Sequence, residues 1–353
     1  MLDIKSKKPL IISGPCSAET AEQTIQTAQQ LAQSGMVDVF RAGVWKPRTK
    51  PGMFEGVGIP ALPWLVEVKK STGLPVAIEV ANAKHVESAL AFGIDMFWIG
   101  ARTTSNPFSV QEIAEALKGV DIPVLVKNPM NADVELWNGA VERLAKCGVK
   151  QLGLIHRGFS GYGSSKYRNT PMWHLAIEIM KRLPELPIFC DPSHICGNTE
   201  HLFEISQRAA DLNFNGLMLE SHITPQKAWS DAKQQLAPQD LINMLRAVVW
   251  RAEGSDSVAY QHSLDELRGV IDRLDNEIFN LLGKRMEAAE NIGRIKRENN
   301  VMILQTNRWN QVVERVLARS EELGLSREFL NVLLEAIHLE SINKQNNILN
   351  QDL

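Results

Sequence analysis

Eight short apolar runs punctuate the first 225 residues, and each ends in a side chain with chemistry to offer. They span 9–15, 36–40, 75–78, 96–101, 123–126, 151–156, 188–190 and 216–219. The residues that close or follow them include Cys16, Arg41 with Lys46, Glu79, Arg102, Lys127, Arg157, Asp191 with His194, and Glu220. Short stretches rich in Val, Ile, Leu and Phe, without polar alternation, are strands buried on both faces. Helical spacing fills the intervals at 20–33, 84–92, 131–147 and 199–213. Eight βα units in about 250 residues predict a closed (β/α)8 TIM barrel, an α/β fold whose chemistry collects at the C-terminal ends of its strands.

A length of 353 residues suits about two domains, and the composition changes near residue 251. Residues 251–257 read Arg-Ala-Glu-Gly-Ser-Asp-Ser, small and polar in the manner of a linker. Beyond them Pro is absent. Ser263-Leu264-Asp265-Glu266 has the form of a capping box, which predicts a helix start. Leu264, Leu267, Ile271, Leu274, Ile278, Leu281, Arg285, Ala288, Ile292 and Ile295 then follow alternating steps of three and four, a heptad seam on one long helix. A second helix is predicted over 306–323, stopped by Gly324, and a third from Ser326 to about 347. The expected organisation is a barrel at 1–250, a linker at 251–262 and a separate all-α three-helix domain at 263–353. The first helix is too long to bury its seam alone, so a homodimer through these helices is expected.

A net charge of −3 provides no field for nucleic acid or an anionic membrane. No run approaches the roughly 18 apolar residues of a membrane span, and the first residues lack an apolar signal segment. Four cysteines in so long a chain make no disulfide framework. Cys147, Cys190, Cys196 and His85 read as ordinary core or surface residues. The expectation is a reduced, cytoplasmic enzyme without nucleic-acid or membrane partners.

In a closed barrel the eighth strand returns to the first. With neighbouring strands about 4.8 Å apart, Cys16, His194 and Glu220 converge within about 10 Å. Asp231 reaches the same point from the loop after strand 8. Each has a plainer reading alone: a buried small thiol, a helix cap, solvated carboxylates. Together a thiolate, an imidazole and two carboxylates suit a divalent transition metal with room for a substrate oxygen. The ligand mixture selects no single metal, and Mn²⁺, Fe²⁺, Co²⁺ and Zn²⁺ all stay open.

Arg41, Lys46, Arg48, Arg102, Lys127 and Arg157 stand at the ends of strands 2, 4, 5 and 6. Gathering cations in one mouth is costly unless anions neutralise them. Arg grips phosphate or carboxylate bidentately and Lys acts as a point charge. The pattern predicts small, phosphorylated, acidic substrates beside the metal.

Gly14-Pro15-Cys16-Ser17, Lys46-Pro47-Arg48-Thr49, Gly100-Ala101-Arg102-Thr103-Thr104, Asp191-Pro192-Ser193-His194 and Leu219-Glu220-Ser221-His222 resemble type I 3-deoxy-D-arabino-heptulosonate 7-phosphate (DAHP) synthase. The resemblance covers about residues 9–250. It implies metal-dependent condensation of phosphoenolpyruvate with erythrose 4-phosphate, the opening step of aromatic amino acid biosynthesis through the shikimate pathway. It assigns Cys16, His194, Glu220 and Asp231 to the metal. Arg41, Lys46, Arg102, Lys127 and Arg157 would bind phosphoenolpyruvate, with Lys46 also catalytic, and Arg48 with Thr49 would hold the aldose phosphate. A barrel that begins near residue 9 matches the short form of the synthase, without an N-terminal regulatory extension. The related synthase that uses arabinose 5-phosphate is the nearest competitor, and Lys46-Pro47-Arg48-Thr49 argues against it. A class II aldolase barrel, which uses a metal but no enol phosphate, is a more distant one.

In the helical part, Arg285 interrupts an apolar seam, where a charge needs a partner. Arg268 and Lys296 lie 28 residues apart on one stripe, about 42 Å along a single helix. If both serve one pocket, Arg268 comes from a partner chain running antiparallel. Ser341 and Gln345 share a face of the last helix. Leu267-Arg268, Lys284-Arg285, Gly293-Arg294-Ile295-Lys296, Arg308 and the Ser341–Gln345 pair are similar to the all-helical chorismate mutase family over about 263–350. That resemblance implies an intertwined dimer rearranging chorismate to prephenate. Arg268, Arg285 and Arg308 would meet the carboxylates, and Lys296 and Gln345 the breaking ether oxygen. Trp309 and Gln305 stand where acidic residues are common in that family. The expected protein is thus a transferase fused to an isomerase, with chorismate or prephenate inhibiting the synthase from the helical pocket. In the competing reading the helices are only a dimerisation and feedback-sensing module.

Overall fold

The computed structural model describes residues 3–5, 7–48, 51–161 and 166–350. The chain forms two compact units, 1–253 and 254–353.

Eight parallel strands, β1 (Leu10–Gly14), β2 (Val39–Arg41), β3 (Val76–Val80), β4 (Met96–Ile99), β5 (Val124–Lys127), β6 (Leu152–His156), β7 (Ile188–Cys190) and β8 (Gly216–Glu220), close in chain order into a barrel. Alternation decides which side each residue faces. Ile12, Val39, Ala77, Trp98, Leu125, Ile155, Phe189 and Met218, one from each strand, share a single buried cluster and fill the interior. Their neighbours Ile11, Phe40, Ile78, Phe97, Val126, Leu154 and Leu217 pack outward against the helices. Both faces are dry, which is why the strands read as unbroken apolar runs. Closure puts Gly14 opposite Glu220 and Leu10 opposite Gly216. A Cβ on Gly216 would stand 1.9 Å from the Leu10 carbonyl oxygen, so this seam admits only glycine.

Thr20, Asn82 and Asp133 cap the helices Ala21–Gln33, Ala83–Ala91 and Val134–Lys146 by accepting from backbone N–H groups three residues on. The helix expected from 199 begins at Leu202, and β2 starts at Val39 rather than 36. Among the described residues no helix is long and apolar enough to cross a membrane.

The second unit is helical: Val258–Glu298, Thr306–Leu317, Ser320–Leu323 and Arg327–Leu349. Ser257 caps the long helix by accepting from Tyr260 N at 3.3 Å. The helix therefore starts inside the stretch expected to be linker, and Ser263–Glu266 lies within it. A capping box marks where a helix can begin, and a preceding turn with its own cap overrides it. The expected helix over 306–323 breaks at Ala318–Arg319, and Gly324 ends it in the left-handed conformation, φ 64°. Ser326 caps the last helix.

Within one chain the heptad seam stays uncovered. Leu267, Ile271, Leu274, Ile278, Leu281, Ile292 and Ile295 are all exposed. The long helix instead buries Ala289, Gly293 and Lys296. A Cβ on Gly293 would stand 3.2 Å from Gln345 Cα, so small residues let the two long helices approach closely.

Candidate active site

Strand closure delivers the barrel residues to one end. Glu220 ends β8, and its backbone N donates to Ser193 Oγ at 2.9 Å. Cys16 follows β1, fully buried; its N–H donates to Gln235 Oε1 at 2.9 Å, and its carbonyl accepts from Arg41 Nη2 at 3.3 Å. Cys16 Sγ stands 3.4 Å from Asp231 Oδ2. Burial, aided by Glu220 and Asp231, pushes this thiol up to about 12.

His194 rides on a one-turn helix, Pro192–Cys196, capped by Asp191. Its Nδ1 is 3.0 Å from Asp191 Oδ1, and Lys127 Nζ donates to Asp191 Oδ2 at 2.6 Å. Burial works to raise the Asp191 carboxyl, yet His194 and Lys127 outweigh it and hold it well below its ordinary value. A carboxylate on Nδ1 makes that nitrogen the proton carrier and leaves Nε2 as a lone-pair donor, the usual second partner of a metal-bound imidazole. His194 Nε2 lies 3.8 Å from Glu220 Oε1. Burial is the largest single influence on Glu220 and Asp231 and opposes their ionisation, yet the neighbouring His194, Arg41 and Lys46 at Glu220, and His194, Arg168 and Lys46 at Asp231, together hold both carboxyls below their ordinary values.

The four candidate ligands thus converge from three adjacent strands, standing in two pairs: Cys16 with Asp231, and His194 with Glu220. Among the described residues no three His, Cys, Asp or Glu side chains form a closed metal-binding cluster. The chain's own cations sit against the carboxylates. Arg41 Nη2 is 3.4 Å from Glu220 Oε1, Arg168 Nη1 3.0 Å from Asp231 Oδ1, and Arg48 Nη1 3.5 Å from Asp231 Oδ2. The donor set still fits a divalent cation, because Glu220 Oε1 is buried and accepts no hydrogen bond.

Lys46, Arg48, Arg102, Arg157, His194 and Asp231 line one cavity of about 230 Å³, with Glu79 and Arg168 also in its wall. Arg41 and Lys127 are buried outside that wall. Arg41 lies over the Trp98 ring, 4.7 Å from its centroid, and Lys127 reaches His194 through Asp191. Burial lowers Arg157 to about 10, and its Nη1 donates to Asn169 Oδ1 at 2.9 Å. Lys46 is admitted by Gly43, where a Cβ would stand 2.6 Å from its Nζ. Thr49 lies outside the described residues. Asp191 was visible in the sequence without a role; Arg168, Asn169 and Gln234 carried no signal, since they come from irregular loops.

In the helical unit, Arg285, Lys296, Arg308, Ser341 and Gln345 line one pocket of about 300 Å³. Arg285 Nη1 donates to Ser341 Oγ and Lys296 Nζ to the Ile303 carbonyl. Trp309 stacks on His338 in the same wall, centroids 3.9 Å apart. Among the described residues no Asp or Glu lines this pocket. Arg268 is not part of it; it is exposed and pairs with Asp265 at 3.5 Å.

Residues 4–253 match the family model described as DAHP synthetase I family, and residues 267–346 the one described as chorismate mutase type II. A phospho-2-dehydro-3-deoxyheptonate aldolase of Thermotoga maritima is 33% identical over 226 residues, 64% of each chain. A 2-dehydro-3-deoxyphosphooctonate aldolase of Syntrophotalea carbinolica is 27% identical over 64% of this chain and 84% of its own. The crystal structure of a Thermotoga maritima DAHP synthase superposes with a TM-score of 0.61 at 30% identity, covering 67% of both chains. The chain thus spans about two thirds of the length of the Thermotoga relative.

Proposed function

The chain belongs to the DAHP synthetase I family through residues 4–253 and carries a chorismate mutase type II domain at 267–346, and from that premise we propose that it joins two reactions of aromatic biosynthesis. The barrel condenses phosphoenolpyruvate with erythrose 4-phosphate; the helices rearrange chorismate to prephenate. The observation that carries the first reaction is the Cys16–His194–Glu220–Asp231 group, Cys16 and Glu220 buried and His194 and Asp231 reaching a cavity walled by Lys46, Arg48, Arg102 and Arg157.

Arg102, Arg157 and Lys127, with Arg41 and Lys46, hold the enol phosphate, and Arg48 with Thr49 holds the aldose phosphate. Fixing both anions turns an encounter of two repelling molecules into an intramolecular approach. Cys16, His194, Glu220 and Asp231 hold a divalent metal, Mn²⁺ first among the candidates, which when bound supplies Lewis-acid polarisation of an aldehyde carbonyl. Lys46 donates to the oxygen that gains charge as the carbon–carbon bond forms. All four cysteines are unpaired, and a reducing cytoplasm suits a site built on a thiol. The two-substrate assay decides this reading. Phosphoenolpyruvate and erythrose 4-phosphate together are expected to release inorganic phosphate in step with their consumption, and consumption without phosphate release overturns it.

Arg285 and Arg308 take carboxylates of chorismate, and Lys296 and Gln345 face the ether oxygen, where preorganised donors stabilise developing charge. Arg268 is supplied by the partner in a homodimer. The absence of a carboxylate from the pocket wall, and the Trp309–His338 stack, favour a second role as a sensor whose occupation by chorismate or prephenate slows the barrel reaction. Trp309 is the single tryptophan of residues 254–353. Prephenate is expected to quench a component of tryptophan emission that Trp309→Phe removes, and to lower the rate of phosphate release. Quenching without any change in that rate sinks the regulatory role and leaves the binding role standing.

A further inference from the structure

Asp231 adopts a left-handed conformation, φ 47°, and opens a single turn, Ala232–Gln234. That turn brings Gln234 back over the acidic pair, almost fully buried. Gln234 Nε2 donates to Glu220 Oε2 at 2.7 Å, and its Oε1 accepts from Arg168 Nη1 at 2.9 Å. The same Nη1 donates to Asp231 Oδ1 at 3.0 Å. Between a carboxylate and a guanidinium the amide has one workable orientation, since a flip would set oxygen against oxygen and N–H against N–H. One oxygen of each carboxylate is thereby committed to a protein partner. The other oxygens are Glu220 Oε1, which accepts no hydrogen bond and has Arg41 Nη2 at 3.4 Å and His194 Nε2 at 3.8 Å, and Asp231 Oδ2, with Cys16 Sγ at 3.4 Å and Arg48 Nη1 at 3.5 Å. These face the remaining donors.

We propose that Gln234 is a positioning residue that, locked by Arg168, holds Glu220 so that Oε1 alone is presented to a divalent cation. The role rests on the metal reading above. It acts through Glu220, touches no substrate, and makes the loop after β8 supply both a ligand, Asp231, and the brace for a ligand on the strand before it. Partners of this kind typically change metal affinity by about 10–100-fold when removed.

The test is a Co²⁺ titration of the full chain followed by visible absorption, where a thiolate ligand gives its own charge-transfer band. The wild-type protein is expected to show that band, and Cys16→Ser to lose it. Gln234→Leu is expected to bind Co²⁺ about 10–100-fold more weakly with an altered ligand-field band. Gln234→Asn keeps an amide but is too short to span Glu220 and Arg168 together. It is expected to weaken binding about tenfold and serves if the leucine variant does not fold. A wild-type protein without the thiolate band overturns the metal reading itself. A wild-type band accompanied by variants of unchanged affinity overturns the brace and leaves the metal reading intact.

Discussion

Replacing Cys16 with alanine is expected to slow phosphate release on the order of 1,000-fold, about 4 kcal/mol of transition-state stabilisation. The expectation follows from where the thiol sits. It is buried, in reach of Asp231 Oδ2 at 3.4 Å, and its own backbone is fixed by Gln235 and Arg41. Alanine removes one donor from the soft end of the set and leaves Asp231, Glu220 and their arginines in place. The remaining imidazole and carboxylates favour harder cations, so excess Mn²⁺ is expected to restore part of the rate and excess Zn²⁺ less. The helical unit is the control within the same molecule. Mutase turnover is expected to stay within roughly twofold of wild type, because Arg285, Lys296, Arg308 and Gln345 belong to a separate compact unit that does not contain Cys16. A Cys16→Ala protein that melts normally and releases phosphate at the original rate removes the thiol from the chemistry. Loss of both activities together indicates a folding defect, and Cys16→Ser then replaces it in the test.

The barrel was legible because a parallel sheet covered on both faces leaves a simple trace, a short unbroken apolar run with its functional residue at the end. Cys16, His194 and Glu220 are read as candidates in that way, and each stands on or just beyond a strand whose neighbours are fixed by closure. The polar support around them was not legible. Gln234 and Arg168 lie outside any periodic pattern, and only tertiary structure brings Gln234 to Glu220 and Arg168 to Gln234 and Asp231. Asp191 is an intermediate case: Asp-Pro-Ser-His announces a capped helix start, while its second bond, to Lys127 from β5, is a tertiary fact. In the helical unit the heptad pattern located the long helix but not the face it buries in one chain. That face follows the small residues Ala289 and Gly293, which permit close packing, rather than the larger side chains of the seam.

The exposed seam and the displaced arginine lead to the second large effect. Arg268→Ala and Arg285→Ala are each expected to lower mutase turnover at least about 100-fold, since a dicarboxylate loses a charge-assisted partner either way. Yet the two residues have different surroundings in one chain: Arg285 is in the pocket and bonds Ser341, whereas Arg268 stands in solvent beside Asp265. If a partner supplies Arg268, the defects lie on opposite sides of each pocket. Unfolding and refolding an equal mixture of the two variants then makes half the dimers mixed, and each mixed dimer has one pocket with both arginines intact. Recovery of about a quarter of wild-type turnover is expected from that arithmetic for a two-fold dimer. Simple dilution of two inactive proteins recovers nothing. A mixture that stays inactive while sedimenting as a dimer shows that Arg268 and Arg285 do not meet across the interface, and a monomer with full mutase turnover removes the need for a partner altogether.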